Sequence, residues 1–413
     1  MVMIVLSVLS FAIWLWLCFF HGRFWSKGPF LYPIDSRKQS KRKNWPNVYV
    51  IVPARNEAQT IGEVSRSLIQ QDYPGYFQIL VVNDASSDNT AEIVKNIQKT
   101  LSDNLKNRLT LIESFARPEG WSGKLWALSQ GMTYLKSKEK LQDDFYFFTD
   151  ADIFHSPSHL TTLVDKALNE NLDQVSEMVR LRCQSLFEKA FIPAFVYFFC
   201  MLYPFKKVNN PSSRVAAGAG GTVLIRCSAL KKIGGISALK SALIDDVTLA
   251  ALVKKKSGSI YLGHSLLATS LRSYCQIQDI WNMITRTAYV QLGYSRILLL
   301  LTIMLMSLMW FTPFLCIFIT TDLTEKLSLA TYIMSIITFV PTLSRFNRSY
   351  LWIFVLPFIA AFYLLATLGS AINYFCGKGM VWKGRTYANS VSEKQHRQKL
   401  YCDQTSFETY EDQ

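Results

Sequence analysis

Two aspartates that are two positions apart, Asp150 and Asp152, carry the side chains best suited to chemistry in this sequence. They follow directly on the apolar run 145–148, which reads as a buried strand. Carboxylates at this spacing offer the hard oxygen ligands that Mg²⁺ or Mn²⁺ prefers. Because magnesium usually combines one or two carboxylates with substrate phosphates, the pair predicts a metal site that neutralises a nucleotide diphosphate as it leaves.

Acidic turns also follow two other apolar runs. These turns are Pro53-Ala54-Arg55-Asn56-Glu57 after the run 47–52 and Asn83-Asp84-Ala85-Ser86-Ser87-Asp88 after the run 77–82. Three acidic turns at one sheet edge would repel one another without a ligand, so together they indicate a binding site. Each turn alone could instead begin a helix, and Asp88 is a plausible N-cap for a helix that starts at Thr90.

The elements that must position these turns alternate between strands and helices. The predicted strands are 47–52, 77–82, 109–112 and 145–148, and the predicted helices are 61–70, 90–100 and 125–135. This alternation is typical of an α/β fold with a doubly wound, mostly parallel sheet, in which ligands bind at the carboxyl ends of the strands. The sequence has no G-x-G-x-x-G after the first strand and no G-x-x-x-x-G-K-[ST], which disfavours a dinucleotide or P-loop site.

The composition indicates a membrane protein. Half of the 413 residues are apolar and only 18% are charged, whereas a soluble domain carries about 25% charged residues. The net charge of +14 favours basic cytoplasmic flanks around apolar segments, and a nucleic-acid binder is the less favoured interpretation. The eight cysteines include no C-x-x-C pair, so we expect buried apolar thiols in a reducing compartment rather than zinc ligands or disulfides.

Apolar runs divide the chain into five regions. We predict a transmembrane anchor at 1–22, a basic cytoplasmic linker at 23–45, a globular domain at 46–295, C-terminal transmembrane helices at 296–376 and a cytoplasmic tail at 377–413. An anchor that ends inside, followed by three complete spans, would put the basic tail outside. One C-terminal segment is therefore expected to be re-entrant or interfacial, and the run 327–343 is the weakest because it has only 17 residues.

Six motifs carry a resemblance to a known family. They are VPARNE (52–57), VVNDASSDNT (81–90), GWSGKLWALSQG (120–131), FTDAD (148–152), GAGGTVLIRCSALKKIGG (218–235) and IDDVTLA (244–250). In combination they resemble a membrane-anchored family 2 glycosyltransferase of the GT-A fold, which implies a Rossmann-like, mostly parallel sheet. The pattern is most similar to the hopene-associated glycosyltransferase group, which is related to ceramide glucosyltransferases, and it extends from the anchor to WKGR at 382–385.

The resemblance implies a role for each matching position. It places Pro53, Ala54 and Glu57 in the uracil and ribose pocket, Asp84 on the base, Lys124 on the diphosphate, Asp150 beside the ribose and the metal, Asp152 on the metal, and Gly220 and Gly221 in the acceptor loop. Asp246 matches the catalytic base, with Asp245 beside it. A neighbouring carboxylate raises the pKa of a base and improves it, although this pair could also begin the helix 247–253.

The sequence departs from the family near the membrane. Many relatives carry Q/R-x-x-R-W there, but the stretch 283–287 retains only Arg286. We expect Arg286 to contact the diphosphate, with a membrane-surface arginine as the alternative. The departure favours transfer of a single sugar over processive synthesis. His264 could complete the metal shell, although a buried strand histidine is the favoured interpretation.

The expected function is therefore a metal-dependent, inverting transfer from a nucleotide-sugar, a UDP-sugar in first place, to a membrane lipid of hopanoid or ceramide-like type. The alternatives are a processive polysaccharide synthase and an inactive membrane scaffold. The domain is expected on the cytoplasmic face of the inner membrane. Because Asp152 and Asp246 must share that face, the aromatic run 186–205 between them is expected in the interface plane, near the acceptor, with a buried core helix as the alternative.

Overall fold

The computed structural model describes residues 1–34, 42–135, 143–240 and 242–377, together with the backbone of Met380–Trp382 and Arg385–Tyr387. Part of the predicted linker, 35–41, and most of the predicted tail lie outside the described residues. The strands are β1 Phe30–Leu31, β2 Val48–Ala54, β3 Phe77–Asn83, β4 Leu109–Glu113, β5 Phe145–Thr149, β6 Ile153–His155, β7 Gln174–Arg180, β8 Thr222–Arg226, β9 Ile260–Ser270, β10 Met380–Trp382 and β11 Arg385–Tyr387.

The domain helices are α2 Ile61–Ile69, α3 Thr90–Thr100, α4 Asp103–Lys106, α5 Gly123–Tyr134, α6 His159–Asn169, α7 Leu186–Leu202, α8 Phe205–Val208, α9 Cys227–Lys232, α10 Asp245–Lys255, α11 Ile277–Thr285 and α12 Ala288–Gln291, with a 3₁₀ turn at Ile236–Leu239. The other helices are α1 Val2–Phe19, α13 Arg296–Met306, α14 Thr312–Ile319, α15 Asp322–Arg345 and α16 Leu356–Phe375, with a π turn at Ser307–Phe311 and a 3₁₀ helix at Tyr350–Val355.

One sheet organises the domain. Its strand order is β1-β9-β7-β8-β5-β2-β3-β4, with β6 paired to β9. The pairs β2/β3, β2/β5, β3/β4, β7/β9 and β1/β9 are parallel, whereas β8 runs antiparallel between β5 and β7. The predicted α/β class with a mostly parallel sheet is confirmed.

Both faces of the sheet are covered. Successive side chains of a strand point to opposite faces, and in β2 Val50 and Val52 join one apolar cluster while Tyr49 and Ile51 join another. A strand buried on both faces reads as a continuous apolar run. That pattern explains why the sequence predicts β2, β3 and β5 to within two residues at each end.

Five described helical segments are long and apolar enough to cross a membrane: Val2–Phe19, Leu186–Val208, Arg296–Ile319, Asp322–Arg345 and Tyr350–Phe375. We call α1, α13, α14, α15 and α16 the apolar bundle. The side chains of Trp14 and Trp310 meet edge to face at its centre, with ring centroids 4.9 Å apart. The indole Nε1 of Trp14 also donates to the carbonyl of Met309 at 3.0 Å.

Helix α7 lies between the domain and the apolar bundle. Ile192 belongs to the domain core, whereas the hydroxyl of Tyr197 lies 2.7 Å from Thr338 Oγ1 in α15. Near the start of α7, Glu188 Oε1 accepts a hydrogen bond from the Tyr274 backbone N–H at 2.7 Å. The run 186–205 thus connects two bodies of the protein, and its place in a membrane interface stays a prediction.

The structure corrects the length expected for the run 327–343. Helix α15 has 24 residues because it begins at Asp322, before the apolar run. It runs in the same direction as α1: Ser7 Oγ lies 3.0 Å from Ser328 Oγ, and the Arg345 guanidinium donates to the carbonyls of Ser26 and Lys27. The run 327–343 is therefore not a short, interrupted segment.

The last apolar segment begins and ends on the domain side. Phe346, just after α15, packs in the domain core. The chain then runs away from the domain along α15. The Phe354 carbonyl accepts a hydrogen bond from the Tyr332 hydroxyl, in the middle of α15, at 3.5 Å. Helix α16 returns, and Ser370 Oγ donates to the Thr285 carbonyl of α11 at 2.6 Å. If the other long helices cross a membrane, this segment enters and leaves on one face.

Labelling of two exposed cysteines should report this topology. Cys275 follows β9 in the domain, and Cys376 follows α16. In variants that keep one cysteine each, a membrane-impermeant maleimide should react with both from the same face, because both ends of the last segment lie on the domain side. A D322C variant places a cysteine at the start of α15, the end of that helix that lies far from the domain. This cysteine should react with the maleimide from the face opposite to the one that labels Cys275 and Cys376. Reaction of Cys275 and Cys376 from opposite faces would contradict a returning segment.

Candidate active site

The turns after β2 and β3 form one unit. The Arg55 guanidinium donates to the carbonyls of Asp84 and Ala85 at 2.6 and 2.8 Å. In the opposite direction, Asn56 Oδ1 accepts a hydrogen bond from the Ser87 N–H at 2.8 Å. These bonds fix the two loops against each other at the carboxyl edge of the sheet, as the position of both turns after parallel strands predicts.

Several predicted nucleotide residues lie in or beside this unit. Ala54 is 1% exposed and pairs with Asn83, so it contributes mainly backbone. Asp84 is also buried, at 3% exposed. Asp88 serves the start of α3, because its carboxylate accepts hydrogen bonds from the N–H groups of Thr90 and Ala58, both at 3.0 Å. The predicted N-cap position is wrong by one residue, since Asn89 is the N-cap of α3, but Asp88 does bond the first N–H of that helix.

Lys124 connects three loops through its ammonium group. Its Nζ lies 2.8 Å from Asp150 Oδ1, 3.5 Å from Asp245 Oδ2 and 3.4 Å from the Gly220 carbonyl. The lysine stands in the first turn of α5, where Ser122 Oγ caps the helix by accepting from the Leu125 N–H. Burial lowers the pKa of Lys124, but attraction by Asp150 and Asp245 outweighs burial, so the pKa is raised and the cation is fixed.

Asp246 stands beside this cation at the start of α10. Its Oδ2 accepts a hydrogen bond from the Gly220 N–H at 2.7 Å, and its Oδ1 accepts one from the Val247 N–H at 2.8 Å. Burial and the neighbouring Asp245 raise the pKa of Asp246 to about 6, against the lowering effect of Lys124 and the two N–H groups. The helix-start interpretation of this pair is correct, because both residues lie in the first turn of α10. The catalytic role of the pair stays a prediction.

At position 220 a glycine leaves room for the side chains of Asp246 and Lys124. A Cβ there would lie 3.2 Å from Asp246 Oδ2 and 3.2 Å from Lys124 Nζ. Such contacts are tighter than ordinary van der Waals distances, so a larger residue would press on the carboxylate and the ammonium together. The next residue, Gly221, fixes the other side of the loop, since its carbonyl accepts a hydrogen bond from Thr149 Oγ1 at 2.9 Å. The loop therefore sets the distance between β5 and Asp246.

Arg272 is a site residue that the sequence analysis missed. It follows β9 by two positions, and its Nε lies 2.7 Å from Asp152 Oδ2 while its Nη2 lies 3.2 Å from Glu57 Oε1. The same rule that found the acidic turns could have found it, because β9 also ends at the carboxyl edge of the sheet. No bounds were predicted for β9 from the sequence, so there was no strand end after which to look for polar residues.

The cluster is strongly acidic. Five carboxylates share two cations: Glu57, Asp150, Asp152, Asp245 and Asp246, with Lys124 and Arg272. Within the described ranges no three His, Cys, Asp or Glu side chains are already arranged around a metal ion. Asp150 and Asp152 each bind their cation through one oxygen and keep a second, and two carboxylates together with substrate phosphates suit Mg²⁺ or Mn²⁺. The donor set therefore fits a divalent ion.

Residues 49–234 match glycosyl transferase family 2. This part of the chain is therefore similar to a glycosyltransferase family 2 domain. A 4,4'-diaponeurosporenoate glycosyltransferase from Staphylococcus aureus (strain bovine RF122 / ET3-1) is 31% identical over 138 residues. That match covers 32% of this chain and 32% of the relative, so it spans about a third of the relative's length.

A solved structure has the same fold as nearly the whole chain. The mannosyltransferase PcManGT from Pyrobaculum calidifontis, in complex with GDP-Man and Mn²⁺, superposes with a TM-score of 0.55 at 16% identity. The alignment covers 90% of this chain and 99% of that protein. The predicted GT-A fold is confirmed. At this identity the likeness shows the fold alone, and the roles of single residues rest on the geometry above.

Two predicted residues, Arg286 and His264, make no described hydrogen bond or ion pair with the carboxylate cluster. Arg286 is the C-cap residue of α11. Among the described residues, no contact joins Arg286 to Lys124 or Arg272. Burial raises the pKa of Tyr274, and the positive charges of Arg272 and Arg286 reduce this rise. His264 is buried within β9, and its ring packs 4.6 Å from that of Phe205. The favoured interpretation of His264 as a buried strand histidine agrees with this position, and it does not join Asp152.

A buried polar chain supports the loop that carries Asp150 and Asp152. Thr149 Oγ1 lies 2.9 Å from His155 Nε2, His155 Nδ1 lies 2.9 Å from His159 Nδ1, and His159 Nε2 lies 2.7 Å from Glu177 Oε2. Because Thr149 donates its proton to Gly221, it accepts one from His155. His155 is then neutral, in agreement with the pKa that burial and His159 hold well below its usual value.

Proposed function

We propose that the chain is an inverting glycosyltransferase that moves one sugar from a nucleotide-sugar, in first place a UDP-sugar, to a membrane lipid such as a hopanoid or a ceramide-like lipid. The observation that carries the proposal is the position of Asp246. Its carboxylate has a pKa raised to about 6 and stands beside Lys124, which bonds Asp150 at the nucleotide side. A base and a phosphate-binding group thus face one space.

Asp246 would act as the general base. As the acceptor oxygen attacks the anomeric carbon of the donor, the hydroxyl proton moves to the Asp246 carboxylate. The bond between that carbon and the diphosphate oxygen breaks, and its electron pair leaves with the nucleoside diphosphate. A single displacement from the face opposite the leaving group inverts the configuration. The Gly220 N–H, which donates to Asp246 Oδ2, would hold the carboxylate in one orientation during the proton transfer.

Lys124 and Arg272 would hold the leaving diphosphate. Both cations lie at the carboxyl edge of the sheet, and each is shared between two carboxylates: Lys124 between Asp150 and Asp245, and Arg272 between Glu57 and Asp152. Asp150 and Asp152 would bind Mg²⁺ or Mn²⁺ through their remaining oxygens, where the ion would neutralise charge on the diphosphate. Arg286 is a further diphosphate contact in this proposal, and Asp84 with the turn 53–57 would enclose the base and ribose.

A lipid acceptor fits the surroundings of the site. Helix α7, which carries aromatic side chains toward the apolar bundle, is tied to the site through the bond of Glu188 to Tyr274. The Staphylococcus aureus relative is named for 4,4'-diaponeurosporenoate, which supports a lipid-related acceptor. Processive synthesis is disfavoured because only Arg286 remains of the Q/R-x-x-R-W stretch.

Incubation of membranes that contain the protein with labelled UDP-sugars, and with GDP-mannose for comparison, tests the proposal. Mass analysis of the lipid extract should show a lipid that gains one hexose from one of the donors. Membranes with the Asp246→Asn variant are the matched control and should give no such product. A labelled polymer, or label only in water-soluble products, would contradict single-sugar transfer to a lipid.

Chelation should stop the reaction. Because five carboxylates crowd the site, the diphosphate needs a divalent ion to approach Asp150 and Asp152, so EDTA is expected to abolish transfer and added Mg²⁺ or Mn²⁺ to restore it. Transfer rates before and after chelation are the measurement. A transferase that keeps its full rate in EDTA would remove the metal from the proposal and leave Lys124, Arg272 and Arg286 as the proposed counter-charges.

A further inference from the structure

A groove of about 950 Å³ lies at the end of α1, outside the catalytic cluster. One wall consists of the residues that follow α1, from Phe19 to Pro29, and the other consists of α8 and the residues after it, to Asn210. We propose that this groove binds the phosphodiester headgroup of an anionic phospholipid. The proposal does not depend on the function assigned to the catalytic cluster.

The lining of the groove is positively charged. It includes Arg23, Lys206 and Lys207 and contains no Asp or Glu. Over the described ranges none of the three cations forms a salt bridge, and Lys207 instead places its ammonium 5.5 Å from the centre of the Trp16 ring. Three cations without carboxylate partners around one space favour a bound anion.

The walls of the groove are held in place. Gly22 has φ +68°, and a Cβ on it would lie 2.9 Å from Pro204 Cβ and 3.0 Å from Lys207 Cγ, so the two walls touch there. On the other side, Asn209 pairs with the backbone of Leu262 in β9, with its Nδ2 3.0 Å from the carbonyl and its Oδ1 2.7 Å from the N–H. The space is therefore formed before any ligand enters.

The groove lies at the end of a candidate membrane span, which favours a lipid over a free anion as its ligand. The apolar helix α1, a candidate membrane span, ends at the groove with Phe19 and Phe20, which are 69% and 72% exposed. Trp16, which is 49% exposed, and Trp25, whose indole donates to the Cys18 carbonyl, lie near the same end of α1. Tryptophans at the end of a span mark the level of the lipid headgroups, where basic pockets bind anionic lipids. A phospholipid can place its phosphate among the cations and its acyl chains along the two phenylalanines at the same time.

The groove is separate from the proposed donor site. Asn209 joins the wall to Leu262 near the start of β9, whereas Arg272 lies ten positions further along the chain, beyond the other end of the strand. None of the residues that line the groove belongs to the catalytic cluster. Loss of the lipid site should therefore leave the catalytic residues unchanged.

Native mass spectrometry of the full-length protein from nanodiscs tests the proposal. In nanodiscs that mix phosphatidylcholine with phosphatidylglycerol, the protein should retain one phosphatidylglycerol; in pure phosphatidylcholine it should retain no lipid at this site. The triple variant R23Q/K206Q/K207Q should weaken retention about a hundredfold, since each basic residue near an anionic surface contributes about fivefold. The single variants R23Q and K206Q should each weaken retention of phosphatidylglycerol about fivefold. They replace the triple variant in the test if that variant does not fold.

A matched variant distinguishes a site from overall charge. K231Q/K232Q/K255Q removes the same charge from exposed positions of α9 and α10 and should retain phosphatidylglycerol as the wild type does. An excess of inorganic phosphate should not displace the lipid. Equal retention by the triple variant and the wild type, or displacement by inorganic phosphate, would overturn the proposal. Equal retention of phosphatidylcholine and phosphatidylglycerol would do the same.

Discussion

Replacement of Asp246 by asparagine should lower kcat by about 10²- to 10⁴-fold, because a positioned general base contributes that much to a proton transfer. The asparagine keeps an oxygen that can accept the Gly220 N–H, so the loop should stay in place. Binding of the nucleotide, measured by calorimetry, should therefore change little while turnover of the bound donor is lost. The effect concerns the chemical step and not the fold.

An exposed aspartate supplies the control for this variant. Asp103 pairs with Lys106 on the surface, away from the cluster, and D103N should keep the wild-type rate. A D246N protein with substantial residual turnover would remove Asp246 from the role of base. Thermal unfolding of both variants separates a loss of catalysis from a loss of structure.

The same carboxylate should set the acid limb of the pH profile. A base works only when it is deprotonated, and the pKa of Asp246 is raised to about 6 by burial and by Asp245. We therefore expect kcat/KM to be constant well above pH 6 and to fall as the pH decreases through about 6. A limb near the ordinary aspartate value would contradict the environment described for Asp246.

Replacement of Arg272 by methionine should lower kcat/KM by about a hundredfold. In the proposal the guanidinium contacts the diphosphate, and a hydrogen bond between charged groups contributes up to about 3 kcal/mol, which corresponds to about a hundredfold. Without the guanidinium, the carboxylates of Glu57 and Asp152 face the diphosphate with no counter-charge. The loss should appear mainly in the KM for the donor.

A graded variant shows whether geometry or charge is responsible. R272K keeps one positive charge but cannot bridge two carboxylates as a planar guanidinium does, so its kcat/KM should fall between that of the wild type and that of R272M. The exposed Arg214 gives a matched control, and R214M should keep the wild-type kcat/KM. If R272K and the wild type are equal, charge alone suffices, and if R272M is as active as the wild type, Arg272 has no role in donor binding.

The first half of the domain could be predicted from sequence because its strands are mostly apolar. The second half could not, and β7 shows the reason. Its residues Gln174, Ser176 and Glu177 are polar yet at most 1% exposed, and Glu177 is tolerated because His159 and Ser265 bond its carboxylate at 2.7 and 3.0 Å. His159 and Ser265 lie far from β7 in the sequence, so no local sequence pattern could predict that this strand is buried.

The site shows the same division. The acidic turns were found because each follows a strand that the sequence reveals. Of their partners, Arg272 was not found, because no strand end was predicted before it. Lys124 was named through the resemblance, but its contact with Asp245 spans more than a hundred residues and could not be predicted. The direction of the last apolar segment likewise depends on packing, such as Ser370 against α11, and not on hydropathy.

The short strand β1 joins the chain that leaves α1 to the sheet of the domain. Phe30 and Leu31 come shortly after the end of α1 and pair in parallel with His264 and Ser265 of β9, the strand that leads to Arg272. This pairing limits how far the domain can turn or move relative to α1. If α1 crosses a membrane, the carboxylate cluster keeps a fixed distance from the bilayer, and an acceptor in the bilayer would have to reach it at that depth.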